Sequence, residues 1–139
     1  MQITTKSVAE TQKFAAALAK KLKRGDIIAL TGELGAGKTC LVQGLANGLH
    51  IKKKYYVNSP TFTILNIYEG GRYSVYHFDW YRLTSSGAAI DVGLEEYFDG
   101  DGISVIEWAE KFPDLLPKRT IWIKMETVAK TKRKITYAI

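Results

Sequence analysis

One cysteine, Cys40, is all that 139 residues contain, so an internal disulfide is impossible and a metal centre built on several thiolates is excluded. Cys40 itself reads as a small buried hydrophobe. No apolar stretch is long enough to cross a bilayer, and Met1-Gln2-Ile3-Thr4-Thr5 lacks the layout of a secretory signal. A soluble, cytoplasmic protein with no membrane role is expected. There is no internal repeat, low-complexity tract or linker-like stretch, and 46% hydrophobic residues can fill one core, so residues 1–139 read as a single domain. Acids are the scarcer charge: 14 Asp and Glu stand against 20 Lys and Arg, for a net charge of +6. The basic residues gather at Lys20, Lys21, Lys23 and Arg24, at Lys52, Lys53 and Lys54, and at Lys130, Lys132, Arg133 and Lys134. Runs of this length are usually solvated faces, but the overall excess points to an acidic partner such as RNA.

What is there centres on Thr31-Gly32-Glu33-Leu34-Gly35-Ala36-Gly37-Lys38-Thr39, which fits G-x-x-x-x-G-K-[ST] at every fixed position. The short apolar run 26–30 ahead of it suits a buried strand, and residues 40–49 behind it space their apolar side chains as a helix does. Strand, glycine-rich loop and helix together make a phosphate-binding P-loop. The glycines let successive N–H groups surround a phosphate, and the helix adds the positive end of its dipole. Glu33, Leu34, Gly35, Ala36, Gly37, Lys38 and Thr39 are therefore candidate nucleotide contacts. Lys38 is expected at the β- and γ-phosphates and the Thr39 hydroxyl on magnesium.

Around this centre, Ser7-Val8-Ala9-Glu10 has capping-box spacing, and Val8, Phe14, Ala15, Leu18, Ala19 and Leu22 continue a helical stripe to about Lys23. Residues 50–60 are polar and basic, and Ser59-Pro60 disfavours regular structure, so a mobile loop beside the phosphates is expected. Residues 61–68 and 72–80 read as an antiparallel hairpin turning at Glu69-Gly70-Gly71. Residues 83–93 are weakly patterned, and 93–98 suggest a short helix. Residues 103–106 form a buried-strand run, Pro113 and Pro117 bound a turn, and 120–125 and 134–139 supply the last strands. The fold class that follows is α/β, a P-loop NTPase-like three-layer sandwich. Its mixed, mostly parallel central sheet carries an antiparallel hairpin and C-terminal strands.

Two acids close strands in this scheme: Asp79 after the run to Phe78, and Glu107 after the run to Ile106. A P-loop enzyme needs such a carboxylate to hold magnesium and usually a group to orient the attacking water. His77 reads as a satisfied structural imidazole and Trp108 as core or partner surface. Arg82 suits a phosphate, a partner's acid or a plain surface ion pair. No N-K-x-D guanine motif is present.

GELGAGKT, SPTF at 59–62, HFDWYRL at 77–83, GLEEYF at 93–98 and IEWAEKFPDLLP at 106–117 together resemble the TsaE family, the small P-loop ATPases of bacterial tRNA threonylcarbamoyladenosine biosynthesis. The resemblance implies ATP and magnesium as cofactors, with Lys38 and Thr39 on phosphate and metal and Glu107 as the Walker-B-like ligand. It implies Asp79 and Thr61 in the hydrolytic site, and Thr11 and Arg133 around the base or sugar. It also implies cytoplasmic partners, TsaB and TsaD, in modifying adenosine 37 of tRNAs that read ANN codons. Trp80 stands where the family often has Leu, and Ala109 where it often has Pro; neither is expected to touch a residue with a chemical role. With no arginine finger evident in cis, turnover alone is expected to be slow until partners complete the site. Which of Asp79 and Glu107 orients water stays open. The rival readings are a small-molecule or nucleoside kinase, for which the chain has little room, and a non-catalytic nucleotide-sensing or RNA-binding module.

Overall fold

The computed structural model describes residues 1–52 and 55–138, so Lys53 and Lys54 of the middle basic run and the end of the last strand at Ile139 lie outside the described residues. In chain order the elements are β1 (Gln2–Thr5), α1 (Val8–Ala19), β2 (Ile27–Thr31), α2 (Lys38–Gly48), β3 (Leu65–Tyr68) and β4 (Val75–Asp79). There follow α3 (Ser86–Asp91), α4 (Leu94–Phe98), β5 (Ile103–Glu107), single 3₁₀ turns at Ala109–Lys111 and Pro113–Leu115, β6 (Ile121–Ala129) and β7 (Lys132–Tyr137). Among the described residues no helix is long and apolar enough to cross a membrane.

The strands form one sheet in the order β1-β7-β6-β2-β5-β4-β3. Its centre is parallel, with β2 between β6 and β5 and β4 beyond; the edges are antiparallel, β1 on β7, β7 on β6, and β3 on β4. Because successive side chains of a strand point to opposite faces, β2 splits its run: Ile28 and Leu30 join the core under α1 and α2, while Ile27 and Ala29 join the core under α3, α4 and the 3₁₀ turns. Helices on both faces make the three layers. The register sets Leu30 opposite Glu107 and Asp79 opposite Glu107, so both acids stand at the carboxyl ends of neighbouring parallel strands, next to the loop that follows β2.

The P-loop helix α2 is seated by close contact with α1. A Cβ on Gly44 would lie 2.5 Å from the Gln12 carbonyl oxygen, and one on Gly48 2.6 Å from that of Ala16. With Ala15, Ala16 and Ala19 opposite, the two backbones approach without side chains between them.

Several boundaries differ from the sequence reading. The first helix ends at Ala19, because Lys21 and Leu22 turn back through short bonds to the Leu18 and Ala19 carbonyls; Leu22 is still buried, whereas Val8 is exposed and Thr11 takes the inward position. Ser7 caps as expected, accepting the Glu10 N–H at 3.1 Å, but Glu10 reaches back to the N–H of Lys6. The strand expected over 61–68 starts only at Leu65, since Ile64 turns through φ 71° and its N–H bonds the Pro60 carbonyl at 2.7 Å. The weakly patterned 83–93 holds α3, capped by Ser85. The strand β1 had no sequence signal of its own and exists by pairing with β7. In the last hairpin β6 runs on past its expected end to Ala129 and β7 starts earlier than expected, at Lys132, which makes Lys130 and Thr131 its tip.

Candidate nucleotide site

At Gly32, where φ is 146°, a Cβ would stand 2.5 Å from the Met125 carbonyl oxygen, so only glycine lets the loop leave β2 beside β6. Gly37, at φ 98°, is the N-cap of α2 and offers no side-chain cap, which leaves first-turn N–H groups facing outward for an anion. The loop borders a cleft of about 540 Å³ lined by residues 34–40 together with Ser59, Thr61, Phe62, Asp79, Tyr81, Glu107 and Trp108.

Lys38 is only 5% exposed. Its ammonium donates to the Gly32 carbonyl and, at 3.2 Å, to that of Glu33, and lies 3.9 Å from the centre of the Trp108 ring. Burial lowers its pKa from the ordinary 10.5, while Glu110, Glu107 and Asp79 pull the other way. Trp108 holds this position through a left-handed backbone, φ 61°, unusual for a bulky residue, and its ring lies 4.8 Å from Tyr81. It lines the site and also packs against the second core.

The Thr39 hydroxyl is 3.2 Å from each oxygen of Glu107. Glu107 also takes His77 Nε2 at 2.6 Å, and His77 Nδ1 stands 3.0 Å from the Tyr68 hydroxyl. His77 is thus fully buried and satisfied, as expected, but its partner is the candidate metal ligand itself. Asp79 is held differently: Ser59 and Thr61 hydroxyls reach Oδ2 at 2.5 and 3.3 Å, and the Tyr81 N–H reaches Oδ1 at 2.8 Å. Arg82 lies over the exposed Phe62 ring, 4.5 Å from its centre. Trp80 and Ala109 are buried in the second core; Trp80 meets Glu107 only through a backbone bond, N–H to carbonyl, at 3.1 Å.

A second cleft of about 300 Å³ shares Gly35, Gly37 and Cys40 with the first and is lined further by Ser7, Val8, Thr11, Lys130, Thr131 and Arg133. Thr11 and Arg133, which the resemblance assigned to the base or sugar, thus line one cleft beside the loop, though each has other work. Thr11 shares a 2.7 Å hydrogen bond with Thr5, and Arg133 donates to the Ala36 and Gly35 carbonyls at 3.1 and 3.3 Å. Cys40 corrects the expectation of a buried hydrophobe: it is only partly buried and borders both clefts, because the first turn of α2 sets it beside the loop. Glu33 is exposed and outside both linings, contributing its carbonyl to Lys38. Sequence reasoning missed Ser59, Tyr68 and Glu110, the last accepting the Gly32 N–H at 3.3 Å. The Ser-Pro-Thr string pointed to Ser59, but nothing in the sequence joined Tyr68 to His77.

Comparison with known proteins shows the family and the fold. The model of the family described as "Threonylcarbamoyl adenosine biosynthesis protein TsaE" matches residues 5–135. A relative from Treponema pallidum (strain Nichols), named tRNA threonylcarbamoyladenosine biosynthesis protein TsaE, is 40% identical over 138 residues, covering 99% of this chain and all of its own. A relative of the same name from Bacillus subtilis (strain 168) is 41% identical over 92% of this chain and 78% of its own. The crystal structure of Bacillus subtilis YdiB superposes with a TM-score of 0.84 at 35% identity, over 99% of this chain and 83% of that one.

Proposed function

Because this chain belongs to the TsaE family of tRNA threonylcarbamoyladenosine biosynthesis proteins, we propose that it serves that modification as a magnesium-dependent ATPase. One observation carries the reading: Lys38 and Thr39 from the first turn of α2, Asp79 from the end of β4 and Glu107 from the end of β5 line a single cleft at the carboxyl ends of the sheet. Two acids and a P-loop on one wall match the parts that phosphoryl transfer to water needs.

The donor set fits the group it would hold. Thr39 and Glu107 present hard oxygens within one hydrogen bond of each other, and magnesium in nucleotide sites takes one or two protein oxygens, with phosphates and water completing the shell. When bound, magnesium neutralises charge on the phosphate oxygens. The N–H groups of the loop and of the first turn of α2 bind and orient the phosphates. Lys38 leaves the Gly32 and Glu33 carbonyls for the phosphates, keeping the charge that those carbonyls and the Trp108 face now hold. Asp79, fixed by Ser59, Thr61 and the Tyr81 N–H, orients the attacking water and accepts its proton. The smaller cleft, with Thr11 and Arg133, takes the sugar or base.

TsaB and TsaD are proposed as the cytoplasmic partners that complete the site and speed turnover, with tRNA reached directly or through them. Measuring phosphate release from ATP, with magnesium and with a chelator, tests the proposal. Slow release that needs magnesium, and that rises when TsaB and TsaD are added, is expected. Release that ignores magnesium, or phosphate transferred to a small molecule in place of water, contradicts it.

A further inference from the structure

We propose that His77 and Tyr68 are positioning residues that fix the Glu107 carboxylate for the metal and tie it to the backbone of the loop 57–61. The inference rests on the reading of Glu107 as a magnesium-side carboxylate.

Four contacts run in series. Glu107 faces the Thr39 hydroxyl on one side and His77 Nε2, at 2.6 Å, on the other. His77 Nδ1 meets the Tyr68 hydroxyl at 3.0 Å, and that hydroxyl lies 3.3 Å from the Asn58 carbonyl oxygen. Glu107, His77 and Tyr68 are 2%, 0% and 3% exposed, so water competes for none of these groups. An ionised carboxylate only accepts, which makes Nε2–H the donor and leaves Nδ1 and the Asn58 carbonyl as two acceptors that share the single Tyr68 proton, at 3.0 and 3.3 Å. Burial raises the Tyr68 pKa, so the phenol keeps that proton. The consequence at the metal side is geometric. Oε2 is committed to the imidazole, while Oε1, among the described residues, takes no partner but the Thr39 hydroxyl, which lies 3.2 Å from both oxygens and is the partner expected beside it on magnesium. Carboxylates that ligate metals are commonly oriented in this way by outer hydrogen bonds. At the far end, the loop that carries Asn58 also sends Ser59 and Thr61 to Asp79. One loop is thereby tied to both acids of the cleft, to Asp79 directly and to Glu107 through two buried rings.

A purely structural role for the same rings predicts only lost stability, so conservative variants and readouts other than turnover decide. The chain has two histidines, and nitrogen-15 spectra of the imidazoles, recorded without nucleotide or magnesium and assigned with a His50 variant, report His77 alone. The Nε2–H tautomer is expected, with the Nδ1 resonance displaced in Tyr68→Phe. Magnesium-dependent binding of a non-hydrolysable ATP analogue, followed by calorimetry, is the second readout. His77→Asn keeps a polar group on the Tyr68 side and loses the one facing Glu107; its magnesium half-saturation should rise roughly tenfold. His77→Gln, which can still donate to Glu107, should stay within about threefold of the parent. Tyr68→Phe, whose ring keeps its place beside Tyr55, should speed amide exchange in the described part of the loop about fivefold. A magnesium-dependent parent matched by folded His77→Asn, or an Nδ1–H tautomer, overturns the proposal alone. A parent that binds the analogue equally with and without magnesium removes the functional reading and the metal half of this proposal together.

Discussion

Asp79 and Glu107 stand opposite each other in the sheet register, yet their partners differ, and the proposed roles differ with them. Glu107 faces Thr39 and a buried imidazole, the surroundings of a metal ligand; Asp79 collects two loop hydroxyls and an N–H, the surroundings of a group that handles water. Glu107→Ala should therefore raise the magnesium half-saturation at least about tenfold. Asp79→Ala should slow turnover about a hundredfold with TsaB and TsaD present and leave the magnesium requirement nearly unchanged. Titrating magnesium against each variant checks both, and the opposite assignment would reverse the roles. At this scale the sequence was most informative where a residue's job follows from a motif: Lys38, Thr39, Asp79 and Glu107 all line the cleft. It was least informative where the job depends on register. Arg133 reaches the P-loop carbonyls only because the β6–β7 hairpin sets it there, and the inward position of Thr11 follows from where α1 begins.

Between elements, the contact of α1 with α2 holds the P-loop helix. Gly44 and Gly48 are spaced to meet α1 backbone with no room for a Cβ. Gly44→Val should cost about 1–3 kcal/mol through overpacking and lower the melting temperature by several degrees; calorimetric unfolding compared with a Gly87→Val control, where a Cβ has space, checks it. The stretch 55–62 is the other element-scale case. Its hydroxyls at Ser59 and Thr61 sit on Asp79 and its Val57 carbonyl on Gln43 of α2, so nucleotide that engages Asp79 and α2 should change the loop. Hydrogen exchange over 55–62 should slow with magnesium and a non-hydrolysable ATP, and less with ADP. Equal exchange in the free, ADP and analogue forms would remove this switch. The parallel centre of the sheet was legible because buried strands read as continuous apolar runs. The strand β1 and the late start of β3 were not, since one exists by its partner and the other is shortened by the Pro60 turn.

For the whole molecule, the mouth of the cleft carries apolar side chains that stay open to solvent: Leu34 is 74% exposed, Phe62 81% even with Arg82 over its ring, and Tyr81 44%. Lys38 is folded on the loop carbonyls and no arginine lines the cleft among the described residues, which fits the proposal that another protein completes the site. Phosphate release by the reconstituted system, with TsaB and TsaD and either the parent chain or Lys38→Ala, bears on this most directly. The Lys38 contacts are to the loop and to Trp108, so the variant should keep its fold by circular dichroism. The parent should release phosphate at least about tenfold faster with its partners than alone, as when a partner completes other P-loop sites, and Lys38→Ala should fall to background. A folded Lys38→Ala that releases phosphate at the parental rate would contradict the account.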